Sequence, residues 1–106
     1  MAAFTVVRLG GAALIWADCA MGGALAPRLH ESLDRLIGET AYPIVVDLVR
    51  VPSLDDGVVA VLAAAAMRLG QLGQGLELRL AGGRAVTARS AAQLRLVIAQ
   101  TYPSAA

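Results

Sequence analysis

The stretch Ile44–Leu69, IVVDLVRVPSLDDGVVAVLAAAAMRL, decides how the rest of the chain is read. It opens inside a short, nearly continuous apolar run, Tyr42–Leu48 (YPIVVDL), the pattern of a β-strand covered on at least one face. After Pro52 come Ser53-Leu54-Asp55-Asp56-Gly57 and then a long apolar segment. That segment predicts a helix from near Asp56 to about Leu72, with Gly70 and Gly73 loosening its end. Strand, loop and helix in this order form a β–α unit, which implies a crossover and a sheet with some parallel pairing.

Working outward, Phe4–Leu9 (FTVVRL) is rich in β-formers. Gly10-Gly11 makes a turn into a second strand, AALIWA, so the two form a hairpin. From Gly23 to Ile37 the period changes: Leu25, Leu29, Leu33, Leu36 and Ile37 recur at helical spacing. Pro27 suits the first turn of this helix and Gly38 its end. Beyond the central unit, Leu76–Leu80 (LELRL) alternates strictly and predicts a strand with one face inward, and GGRA reads as a loop. Thr87 or Ser90 opens a last helix to about Gln100, stopped by Tyr102-Pro103. A frayed tail is expected over 101–106. The fold class expected is α/β: one domain over 1–106, a small mixed four- to five-stranded sheet with helices packed against it.

The composition narrows the function classes. The chain has 106 residues, 58% of them hydrophobic, with nine Arg, no Lys and a net charge of +1. The arginines are spread from Arg8 to Arg95 with no basic stripe, which argues against a nucleic-acid surface. Cys19 is the only cysteine and His30 the only histidine, so an internal disulfide is excluded and an ordinary zinc site lacks ligands. A reducing, cytoplasmic setting is expected. Arg8 with LGGAALIWADCA resembles a weak signal peptide, but Gly10-Gly11 interrupts the apolar run and Trp16-Ala17-Asp18 is a poor cleavage context. No apolar run approaches the roughly 20 residues of a membrane-spanning helix. No cofactor is expected. The high apolar fraction is compatible with a homodimer, without locating an interface.

Asp55 and Asp56 carry the functional question. Ser53-x-x-Asp56 matches a capping box. In the alternative, Asp55 is itself the N-cap and Asp56 lies in the first turn. Either way the carboxylates sit near free backbone N–H groups and the positive helix pole, worth roughly 0.3–1 kcal/mol each. A catalytic pair fits poorly, since helical neighbours point about 100° apart and no base is at hand.

The order of elements, with VVRLGG, IVVDLVRVPSLDDG and the helix exit MRLGQLGQGLEL, resembles the STAS domain, and more narrowly the bacterial anti-sigma-factor antagonists. The resemblance spans about Phe4 to Gln100. In that family the loop reads Asp-Ser-Ser-Gly or Asp-Ser-x-Gly, and the hydroxyl before the glycine accepts phosphate. Here Asp47 to Asp55 matches the family's spacing to its loop Asp, and Gly57 matches its Gly. Both matches hold with one residue missing between them, and Asp56 then occupies the acceptor position. The resemblance implies a non-enzymatic protein-interaction domain whose docking surface is Ser53, Leu54, Asp55, Asp56 and Gly57. The partner implied is a serine-kinase-like anti-sigma factor, with no nucleic acid and no membrane insertion. A fixed carboxylate in place of a switchable hydroxyl implies a locked or divergent member. Ser53 as a relocated phosphosite is the weaker alternative to a turn role. A second reading with the same fold is the accessory subunit of an ABC lipid-transport complex.

Of the remaining residues, His30 is expected in solvent and Trp16 in the core or at a sheet edge. Cys19 is expected to be buried or half-buried, and Met21 and Met67 to fill gaps. AGGRA lacks the Lys-Ser/Thr of a phosphate-binding loop and is read as a turn.

Overall fold

Gly10 and Gly11 separate two short runs of β-formers, and Gly10 takes a φ of +61° that side chains other than glycine's resist. The computed structural model describes residues 4–103, and β1 (Thr5–Leu9) and β2 (Ala12–Trp16) pair there as an antiparallel hairpin. β3 (Ile44–Asp47) then lies parallel to β2, and β4 (Leu76–Leu80) parallel to β3. β5 (Arg84–Ala88) closes the far edge antiparallel to β4. The strands therefore stand in chain order, β1-β2-β3-β4-β5, in one mixed five-stranded sheet.

Three helices cover one face: α1 (Ala26–Gly38), α2 (Asp56–Gln71) and α3 (Ala91–Thr101). A 3-10 turn over Gly23–Leu25 leads into α1. Among the described residues the core between the layers is wholly apolar. Ile15, Ile44, Val46, Leu76 and Leu78 from the sheet meet Leu29, Leu33, Leu62, Leu69 and Leu94 from the helices. Alternation does the sorting, because residues two apart in a strand share a face. Ala13 and Ile15, Ile44 and Val46, and Leu76, Leu78 and Leu80 are buried, while the residues between them are part-exposed or open.

The helix ends explain several glycines. α2 finishes in a Schellman motif: Gln74 N donates to the Leu69 carbonyl at 2.7 Å and Gly73 N to that of Gly70 at 3.1 Å. Gly73, at φ +72°, is the left-handed residue this requires. Gly70 does not loosen the helix as expected. It marks close packing, since a Cβ there would lie 1.9 Å from the Arg89 carbonyl oxygen.

Other expectations are corrected here. GGRA is only partly a loop: Gly82 and Gly83 turn the chain at φ +80°, and Arg84 and Ala85 already belong to β5. Thr87 lies within β5, so Ser90 alone caps α3; its Oγ accepts from Gln93 N at 3.0 Å, and Gln93 Oε1 accepts from Arg89 N at 2.8 Å. The arrangement is close to a capping box, shifted so that Gln93 serves the residue before the N-cap and not Ser90 N itself. The tail starts later than 101, because Thr101 ends α3 and the Tyr102 hydroxyl donates to the Val51 carbonyl at 2.8 Å. Residues 104–106 lie outside the described residues. Met21 is buried in the core as expected, but Met67 is 46% exposed on the outer side of α2. Cys19 is exposed, not buried.

Candidate functional site

The segment between β3 and α2 is built by short-range hydrogen bonds. Asp47 Oδ1 accepts from Val49 N at 3.0 Å, turning the chain as it leaves the strand. Val51 N donates to the Leu48 carbonyl at 3.0 Å. The Tyr102 hydroxyl then fastens this turn to the end of α3. Burial pushes the Tyr102 phenol above its ordinary pKa, since the anion would lose its hydration there.

Leu54 forms a single parallel bridge with Met21, from the loop that precedes α1. Met21 N donates to the Ser53 carbonyl and Asp55 N to the Met21 carbonyl, each at 3.0 Å. Asp55 Oδ2 completes the link by accepting from Gly23 N at 2.7 Å. The loops that open α1 and α2 are thus stitched together by three hydrogen bonds, one of them to a carboxylate. Gly57 sits at this junction: a Cβ there would stand 3.6 Å from the Ala26 Cβ, in ordinary contact.

The two carboxylates therefore take different roles. Asp55 is the N-cap of α2 by position, yet its side chain makes no capping bond to α2 and serves Gly23 instead. Asp56 is the first helical residue, exposed at the positive pole of α2. The Ser53-x-x-Asp56 capping box does not form, because helix α2 begins one residue past Asp55 and Ser53 takes part through its backbone carbonyl. Ser53 is exposed and Leu54 half-buried.

Of the five consecutive residues of the expected docking loop, Ser53, Asp55, Asp56 and Gly57 are exposed and Leu54 is half-buried. Beside it lies a shallow cleft of about 310 Å³, running between the first turns of α2 and the last turns of α3. Leu54, Val59, Ile98 and Tyr102 give it apolar walls, and Asp56 and Arg95 line it with opposite charges. The sequence singled out neither Arg95 nor Tyr102 for this surface. Both reach it only through the packing of α3 on α2, which no local pattern announces.

Among the described residues no group of three or more His, Cys, Asp or Glu side chains is placed to hold a metal ion. His30 lies exposed on α1. Trp16, 37% exposed at the end of β2, stands on the sheet face away from the helices and not in the core or on an edge strand. No helix among the described residues is long and apolar enough to cross a membrane. Neither the known protein families nor the curated proteins include a match to this chain.

Proposed function

We propose that the chain is a non-enzymatic protein-interaction domain acting as a locked or divergent anti-sigma-factor antagonist in the cytoplasm. The observation that carries the reading is Asp56, exposed as the first residue of α2. That is the position at which the resemblance puts a phosphate-accepting hydroxyl. A helix N-terminus accommodates an anion through its free N–H groups and dipole. Phosphorylation there adds about −1.5 to −2 charges and three acceptor oxygens. A carboxylate supplies one permanent negative charge on a shorter group, beyond the reach of a serine kinase.

The docking surface is the Ser53–Gly57 loop with the adjoining cleft. Its apolar walls suit a partner side chain, and Asp56 puts a negative charge on the α2 side of the cleft, across from Arg95 on α3. A kinase-like anti-sigma factor that accepts an unmodified serine meets a built-in charge here. Titrating such a factor from the same cell with the wild type and with Asp56→Ser tests the reading. The variant binds at least about tenfold more tightly, corresponding to loss of one unfavourable charge contact. Equal, tight binding by both proteins removes the locked form.

A further inference from the structure

Among the described residues no layer covers the face of the sheet turned away from the helices. Parallel strands are usually covered on both sides, and here β2, β3 and β4 run parallel at the centre. Strand register places most residues of the open face in two full rows, with Leu9 and Ala12 of the hairpin forming a partial third. Thr5, Trp16, Asp47, Arg79 and Ala85 stand side by side across all five strands. One step along the strands, Val7, Leu14, Val45, Glu77 and Thr87 form the second row. Val7, Leu14 and Val45 make an apolar ridge, each only half-buried. Glu77 and Arg79 lie two residues apart on one strand and one face, and neither makes an ion pair among the described residues.

We propose that this face binds a second copy of the chain, in a two-fold face-to-face sandwich whose axis crosses the strands between the two rows. That axis lays each strand antiparallel on its own copy and sets one row over the other. Glu77 of one protomer then faces Arg79 of its partner, and the symmetry makes the pair twice. Trp16 comes over Leu14 in the same way. Asp47 comes over Val45 with its Oδ1 still held by Val49 N. An axis along the strands would set Asp47 against Asp47 and Glu77 over Leu14, so the charges select the crossing axis. Charge self-complementarity of this kind is what commits the face to a copy of itself.

The extent of the face fixes the strength. Strands about 4.8 Å apart and residues about 3.3 Å long give a footprint of roughly 400 Å². A standard interface takes about 800 Å² from each partner. A footprint half the standard size makes the dimer weak, with a dissociation constant between about 10 µM and about 1 mM. It leaves the Ser53–Gly57 loop, on the helix side, free to dock.

Sedimentation equilibrium of the whole chain from about 10 µM to about 1 mM brackets that constant and tests the proposal. The wild type shifts from monomer to dimer across this range. Arg79→Glu and Glu77→Arg each weaken association at least about tenfold, because like charges now face each other twice. The double reversal Glu77→Arg with Arg79→Glu restores the wild-type constant. A wild type that stays monomeric throughout overturns the proposal, as does association unmoved by Arg79→Glu or a double variant no better than the singles. Arg79 is exposed, so Arg79→Glu alone decides the matter should Glu77→Arg fail to fold.

Discussion

At Asp55 the carboxylate turns away from its own helix and accepts from Gly23 N, 32 residues earlier in the chain. Asp56, one residue on, faces solvent at the start of α2. The physics of the sequence anticipated two acidic groups at a helix pole, and that much holds. It did not reveal their division of labour, because Gly23 is remote in sequence and only the fold brings it near. The consequence is testable at this single residue. Asp55→Ala removes a charge-assisted hydrogen bond at an exposed site and costs about 1 kcal/mol of stability, measured by urea unfolding. Amide exchange at Gly23 accelerates in the same variant, while exchange in the β3–β4 core is unchanged. Asp56→Ala leaves Gly23 exchange unaltered, which separates the two carboxylates.

At the scale of elements, β1 to β4 and the three helices were legible because each announces itself locally. The hairpin has its glycine pair, α1 its repeating leucines, and β4 its strict alternation. β5 is not legible as a strand: Arg84 and Ala85 follow two glycines directly and read as loop, and Thr87 reads as a possible helix start. The strand character of Arg84 and Ala85 comes from pairing with Leu80 and Arg79. The outer side of α2 was equally hidden. VVAVLAAAAM is apolar all round, so nothing in it separates the buried Leu62 and Ala66 from the exposed Met67. Gly70 shows how tightly that helix is seated. Gly70→Ala drives a methyl group into the Arg89 backbone, where no flexible side chain can yield. The variant loses about 3 kcal/mol in denaturant unfolding, despite the better helix propensity of alanine. The end of α3 gives a pH-dependent counterpart. The Tyr102 pKa is raised by burial, so the folded state holds the phenolic proton more tightly than the unfolded chain. Its contribution to stability is complete below the ordinary phenol pKa of about 10 and is lost as pH rises through the folded value. Tyr102→Phe therefore flattens the alkaline fall in melting temperature that the wild type shows, and lowers stability at neutral pH by the lost bond to the Val51 carbonyl.

Across the whole molecule, a two-layer α/β domain separates two surfaces. The helix layer presents the Ser53–Gly57 loop and its cleft, and the bare sheet presents opposite charges, unpaired among the described residues, beside an apolar ridge. The core between them holds no buried polar or charged side chain among the described residues, so the ionisable groups are displayed on the outside. The proposed docking rests on one of these surface charges, Asp56 at the head of α2. Isothermal titration of a kinase-like anti-sigma factor with three forms of the chain tests this most directly: wild type, Asp56→Ser, and Asp56→Ser carrying phosphate. The account predicts that unmodified Asp56→Ser binds at least about tenfold more tightly than the wild type, and that adding phosphate to it abolishes the gain. Wild-type binding as tight as that of unmodified Asp56→Ser would contradict it.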